Sequence, residues 1–415
     1  MMPACSPWPA PASRSNRDGD AHPLTMYNLL SPWPPQANGI ADYAMEIARH
    51  SAHPVRIVTR ALRPRFGGEH AALVSDADAA RSGVLAHAPN VYHFGNNPDH
   101  VFLIPLFLRH PGIAVVHDVS LHYLVEKATS SLPGFFATQL AAETPTLAGA
   151  LRALWQVPGM KRALDYQEFK LLSWLRAATG IVVHSHFAAR AIAPHLPGRP
   201  VHVIPHFAYR ATSAGATAPL KAAARTSLGI TQDQFVISTV GFVTRNKQYD
   251  AVLRAIGQLP PAMRSRIVFL VAGEVRKHEY DLETLIDTSG CRDVVRTTGY
   301  LAEAEMQKVL QASDLVMSLR YPTFGESSGS VARALGMGCA LVVTEGGSYA
   351  ELPDDTCIKI PPKQDPSNEL AELIRGAVED PRRLADIRAA ALDYARSALE
   401  PHRIAQRYSE IAHAA

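Results

Sequence analysis

Residues 318–353 read SLRYPTFGESSGSVARALGMGCALVVTEGGSYAELP. The apolar run Leu315–Ser318 leads into this stretch, a turn rich in glycine and serine follows, a helix with small residues opens at Val331–Leu335, and a second apolar run, Ala340–Val343, comes next. Strand, loop, helix and strand in this order form a unit whose two strands lie parallel, because the helix carries the chain back to the starting edge. The same alternation extends outward in both directions. Before it, the pattern predicts strands at Met26–Leu30, Val55–Thr59, Val91–Phe94, Ile113–His117, Gly180–Val183 and Val201–Ile204. A second series runs through Phe235–Val240, Arg266–Ala272, Val294–Thr298, Leu315–Ser318, Ala340–Val343 and Cys357–Ile360. Between the two lies AYRATSAGATAPLKAAA, Ala208–Ala224, whose Ala, Thr, Ser and Gly content reads as a crossing between domains. The expectation is an α/β chain of two doubly wound, Rossmann-like domains, 24–207 and 225–395, joined by 208–224. A final helical period, Ile404, Ala405, Tyr408 and Ile411, falls in 396–415.

Composition agrees with that organisation. The 415 residues suit two to three domains at about 150 residues each, and 47% hydrophobic residues exclude a disordered chain. Lysine and arginine number 41 against 38 acidic residues, a balance of +3 that supplies no field for nucleic acid. Cys5, Cys291, Cys339 and Cys357 show no CxxC spacing, so neither a disulfide scaffold nor a zinc ribbon is expected. No run of 18 apolar residues and no basic, then apolar, leader occurs, which reads as a cytoplasmic protein. Residues 1–23, proline-rich and polar, are expected to stay disordered.

In sheets of this kind ligands bind beyond the carboxyl ends of the strands, so chemistry is sought in the loops there and in the cleft between the domains. The first such loop, SPWPPQANGIADY, places Gly39 between strand and helix, where backbone N–H groups can approach a phosphate; a tight turn alone explains the glycine equally well. Asp42 follows on that helix. Asn96, in GNNPDH, and the pair His117-Asp118 lie at strand ends and are candidates for the cleft, with a buried, hydrogen-bonded histidine as the plain alternative. Arg245 and Lys247 precede the helix expected at Tyr249–Leu259. Two cations at a helix N-terminus oppose its dipole and suggest an anion between them. The richest loop offers Glu326, Ser327, Ser328, Gly329 and Ser330 at a helix N-terminus, a carboxylate for sugar hydroxyls beside hydroxyl and N–H groups for phosphate. A serine serving only as the helix cap is the alternative there.

Taken in order, SPWPPQANGIADY, HDVSLHYL, the VVHS strand end at Val182–Ser185, VIPHFAY, STVGFVTRNKQ, TGYLAEAEMQKVLQASDLVMSLR and TFGESSGSVARALGMGCALVV resemble the retaining glycosyltransferases of family 4. The resemblance spans Met26 to His413 and implies the two-domain GT-B architecture. It also implies transfer of a hexosyl group from a nucleotide-diphosphate sugar to a saccharide or lipid-linked acceptor, with retained anomeric configuration and neither cofactor nor metal. Gly39 would face the donor phosphates, His117 would stand near the reacting sugar, Lys247 would bind the diphosphate, Glu326 would hold donor sugar hydroxyls, and the N–H groups around Ser328–Ser330 would hold phosphate. Asp42, Asn96 and Asp118 would lie on the acceptor side. The chain departs from the family twice. Phe242 stands where an arginine is usual, with Arg245 nearby as a replacement, and the ribose-binding second glutamate is missing, Arg333 falling one residue short of its place.

The segment Leu121–Thr179 is expected to be helical in pieces broken at Pro133, Pro145 and Pro158. Its LRALWQVPGMKRAL could present a basic, aromatic face to an anionic membrane surface. Two other readings stay open: a different GT-B enzyme, an epimerase or a phosphorylase, and a silent sugar-nucleotide-binding protein.

Overall fold

The computed structural model describes residues 26–61, 71–157, 160, 170–209, 217–275, 280–323, 325 and 327–414. Residues 1–23 and Glu326 lie outside the described residues.

Short runs of branched and aromatic residues, buried along their whole length, become strands that need cover on both faces, and this is the condition of a parallel sheet. The first sheet contains β1 (Tyr27–Leu30), β2 (Val55–Thr59), β3 (Ala71–Ser75), β4 (Asn90–Phe94), β5 (Ile113–Val116), β6 (Gly180–Val183) and β7 (Val201–Val203). Its order is β3-β2-β1-β4-β5-β6-β7, with every pairing parallel. The second sheet is β10-β9-β8-β11-β12-β13, from β8 (Phe235–Val240), β9 (Ile267–Ala272), β10 (Val295–Thr297), β11 (Leu315–Ser318), β12 (Leu341–Thr344) and β13 (Ile358–Ile360). It too is parallel throughout.

Every strand expected from the sequence is present, with ends shifted by no more than one residue. Strand β3 was not foreseen. It lies at the sheet edge with Leu73 exposed, so it carries no buried run to betray it. In the crossing expected at 208–224, Ala208 and Tyr209 are already packed and a helix has begun at Ala218.

Alternate residues of each strand feed different cores. Tyr27, Leu29, Val91 and Val115 face one side of the first sheet, and Leu30, Tyr92, Phe94 and Val116 face the other. The final helix, Pro401–Ala414, packs on the first lobe, where Ile404 and Tyr408 join the core around Tyr43 of the helix Gly39–His50. The Tyr43 and Tyr408 hydroxyls meet at 3.0 Å, and Arg407 donates to the Val203 carbonyl at 2.7 Å. Across the gap between the lobes, the Glu351 carboxylate accepts from the backbone N–H groups of His186, at 2.8 Å, and Phe187.

The segment after β5 forms helices at His122–Ala128, Phe135–Glu143 and Ala148–Trp155. Of LRALWQVPGMKRAL, residues 158–159 and 161–164 lie outside the described residues; the described aromatics of the segment do not form the membrane-facing surface suggested by the sequence. Phe136, Trp155 and Trp174 are buried, and the Trp155 indole donates to Glu126 at 3.0 Å, so these rings are core. Among the described residues, the large apolar side chains exposed there are Leu147, Leu154 and Val157. Among the described residues, no helix is long and apolar enough to cross a membrane.

Replacing Tyr408 by alanine removes a fully buried ring from the contact between the final helix and the first lobe. The expected loss is about 3–5 kcal/mol of unfolding free energy. A urea transition unchanged in midpoint would contradict this packing account.

Candidate active site

Each sheet has one place where strand order reverses, between β1 and β4 in the first and between β8 and β11 in the second. In sheets of this kind crevices form at such reversals, outside the carboxyl ends. The loops at these points carry most of the residues singled out in the sequence.

In the second lobe, β8 ends at Val240 and the chain turns at Gly241 with φ of +96°, a conformation that glycine adopts without strain. Lys247 Nζ returns to the Val240 carbonyl at 3.1 Å, and Ser330 Oγ donates to the same oxygen at 3.0 Å. A methyl group at Gly241 would stand 3.0 Å from Ser330 Oγ and 3.2 Å from Lys247 Nζ. The bare glycine is therefore what lets the ammonium and the hydroxyl share one corner. Ser330 belongs to the first turn of the helix Gly329–Gly336, which Ser328 caps by accepting from the Val331 N–H. That helix end supplies unpaired N–H groups and the positive end of its dipole. Ser327 precedes the cap and is half-buried. A buried cation, a hydroxyl and a helix N-terminus in one place suit a phosphate group.

The two cations of the sequence separate. Lys247 is buried, whereas Arg245 is exposed at the start of the turn Arg245–Lys247. Arg333 is not free either: its Nη2 and Nε meet Glu303 Oε2 at 2.8 and 2.9 Å, its Nη1 donates to the Gly329 carbonyl at 3.2 Å, and its guanidinium lies 3.6 Å from the Tyr209 ring centroid. It joins the second lobe to the crossing segment. At the other end of that helix, a methyl group on Gly336 would come within 2.6 Å of the Tyr209 carbonyl, so only glycine allows this approach.

In the first lobe, imidazoles form a hydrogen-bonded chain. His184 Nδ1 stands 2.9 Å from the Ile204 carbonyl, His184 Nε2 lies 3.0 Å from His117 Nδ1, and His117 Nε2 lies 3.0 Å from His93 Nδ1. A carbonyl can only accept, so His184 carries its hydrogen on Nδ1, and the same assignment passes along the chain to His117 and His93. Both ring nitrogens of His117 are thus engaged by other histidines. The half-buried residue packs 5.1 Å from Tyr43, and the chain leaves it no free nitrogen for a substrate. Burial holds His117 and His93 well below the usual imidazole value and brings His184 and His100 down to about 4. Neighbouring histidines push His117 and His93 the same way.

Asn96 and Asp118 serve the loops themselves. Asp118 Oδ2 accepts from the Asn96 N–H at 2.7 Å, and Asn96 Oδ1 accepts from Tyr123 and Leu124 N–H groups at 2.9 and 3.1 Å. Gly39 is exposed as the first residue of its helix, behind the cap Asn38. Asp42 is half-buried in the first turn of the same helix. Burial raises its carboxyl to about 6, with Arg333 acting against the rise. His206, absent from the sequence candidates, packs beside Tyr43 and Tyr209, with ring centroids 4.7 and 5.6 Å away. Its only signal was the VIPHFAY strand end, where a histidine has many ordinary uses.

Residues 221–394 match the family described as glycosyl transferases group 1. A D-inositol 3-phosphate glycosyltransferase 2 of Catenulispora acidiphila is 29% identical over 184 residues, 42% of each chain. Its counterpart in Kineococcus radiotolerans is 34% identical over 124 residues, 28% of each. The chain thus spans less than half the length of the curated relatives it matches. Among solved structures, Anabaena Alr3699/HepE in complex with UDP superposes with a TM-score of 0.65 at 17% identity, covering 94% of this chain and 100% of that one. WaaG, a glycosyltransferase involved in lipopolysaccharide biosynthesis, gives 0.64 at 17% identity over the same shares. Sucrose-phosphate synthase from Thermosynechococcus elongatus gives 0.67 at 13%, covering 94% and 98%. The fold is GT-B.

The neutral imidazoles set a pH dependence of stability. Their folded values lie below the unfolded value of about 6.5, so below that pH the unfolded chain binds protons that the folded chain refuses, and stability falls as pH drops. Each imidazole adds a slope of about 1.4 kcal/mol per pH unit until its folded value is reached. Asp42, raised to about 6, acts in the opposite sense between its unfolded value and pH 6. The net expectation is a urea midpoint that declines from pH 7 to pH 5; a midpoint flat over that range would contradict it.

Proposed function

We propose that the chain is a glycosyltransferase that moves a hexosyl group from a nucleotide-diphosphate sugar to a saccharide or lipid-linked acceptor, retaining the anomeric configuration and using no metal. The observation that carries the reading is the corner at Gly241, where Lys247 Nζ and Ser330 Oγ converge beside the N-terminus of the helix Gly329–Gly336. The group 1 family match covers this lobe and adds support. The solved neighbours that hold UDP or UDP-glucose favour a nucleotide sugar as donor.

In this proposal the bond between the anomeric carbon and the diphosphate oxygen breaks while the acceptor hydroxyl bonds to the same face of that carbon. The departing phosphate oxygen takes the hydroxyl proton, so the products are the glycoside and the nucleoside diphosphate. The protein stabilises the charge that grows on phosphate, through Lys247, the Ser330 hydroxyl and the helix N–H groups, and it holds the two reactants in register. Glu326, at the loop before the helix, is assigned to hydroxyls of the transferred sugar. With a cation and a helix dipole at the diphosphate, the charge is met without a metal ion. On the acceptor side, the exposed Leu147, Leu154 and Val157 support peripheral contact with a lipid surface.

Screening UDP-, GDP-, ADP- and TDP-sugars by thermal shift identifies the donor, because a ligand of the folded state raises its apparent stability. With that donor, Lys247→Ala is expected to lower kcat/KM by about 100-fold or more, the scale of losing one electrostatic contact in a transition state. EDTA is expected to leave native turnover unchanged. Undiminished turnover in Lys247→Ala would refute the assignment.

A further inference from the structure

Hydrogen-bond accounting around Tyr43 separates one imidazole from the rest. His184 and His117 use both ring nitrogens within the chain anchored at the Ile204 carbonyl. His93 and His100 each use Nδ1, and their Nε2 atoms are fully buried, beyond the reach of a ligand. His206 differs. Its Nδ1 stands 2.8 Å from the Phe207 carbonyl, so Nδ1 holds the hydrogen and Nε2 keeps a lone pair. Among the described residues Nε2 has no hydrogen-bond partner, and the residue is half-buried, not sealed in. Its direction is fixed by rings on three sides, Tyr43 at 4.7 Å, Phe207 at 5.1 Å and Tyr209 at 5.6 Å. It stands beside the first turn of the helix Gly329–Gly336: a methyl group on Gly329 would stand 3.9 Å from His206 Nε2, at ordinary contact distance.

We propose that His206 Nε2 is a donor-binding group of the first lobe, accepting a hydrogen bond from a hydroxyl of the nucleotide sugar held at the helix Gly329–Gly336. The inference rests on the donor-site reading above. A lone pair suits a hydroxyl and opposes a bare phosphate oxygen, so the partner is one of the hydroxyl-bearing units that flank the diphosphate, the nucleoside ribose or the transferred sugar. Because the acceptor atom comes from the first lobe and the phosphate contacts from the second, a single donor would bridge both.

The test is equilibrium binding of UDP, GDP, ADP and TDP and of their sugars to the native chain and to His206→Phe, His206→Asn and His206→Gln. Phenylalanine keeps the ring packing without the lone pair, asparagine keeps only the short polar group, and glutamine can return an oxygen to the place of Nε2. The expected result is about 10-fold weaker binding for H206F and H206N, the scale of one buried hydrogen bond, with H206Q close to native. Should H206F fail to fold, H206N against H206Q gives the same comparison. Weakening of the nucleoside diphosphate itself assigns the hydroxyl to the ribose; weakening of the nucleotide sugar alone assigns it to the transferred sugar. Both outcomes support the proposal. Native-like donor affinity in H206F and H206N, whether or not kcat falls, overturns the role of His206 alone. A native chain that binds none of these nucleotides overturns the donor-site reading itself, and this inference with it.

Discussion

The carbonyl of Val240 is the point on which the second lobe's site depends. It is the last acceptor of a central strand, and a lysine ammonium and a serine hydroxyl both point at it. The two groups come from different loops, on either side of the place where strand order reverses. They meet because Gly241 has no side chain to keep them apart. An ammonium in so buried a corner is stable only with acceptors around it, and an arriving phosphate would provide more of them.

The same helix that offers its N-terminus to that corner also fastens the lobes together. Gly336 admits the backbone of Tyr209, Arg333 lies over the Tyr209 ring, and Glu303 receives the guanidinium from the other side. Arg333 therefore acts through packing and an ion pair and not as a free cation in the crevice. The Glu351 carboxylate, bonded to the N–H groups of His186 and Phe187, makes a second contact across the gap. Relative movement of the lobes would have to break both connections.

On the opposite wall, the physical constraint is tautomeric. One backbone carbonyl, that of Ile204, dictates where the hydrogen sits on His184 and, through it, on His117 and His93. Stacking uncharged rings around Tyr43 gives a rigid wall, and rigidity comes at the cost of reactivity, since a nitrogen bonded to a neighbouring imidazole is not offered to a ligand.

The sequence by itself determined the architecture, because strands covered on both faces are mostly apolar and such runs are visible without coordinates; the exposed edge strand β3 escaped this signal. It also singled out Lys247, Ser328 and Ser330, which the fold brings to one corner because each is held by a short local turn next to a strand end. What each polar group does was decided only by tertiary structure. Asn96 and Asp118 look like cleft residues in the chain but bond to each other's loop, Arg333 finds Glu303 thirty positions away, and Trp155 turns into the core. His117 and His206 are equally plain histidines in the sequence. Their hydrogen bonds to residues distant or adjacent, His184 for one and Phe207 for the other, leave a free nitrogen on only one of them, because a ring nitrogen's role is set by the partner that its other nitrogen finds in the folded chain.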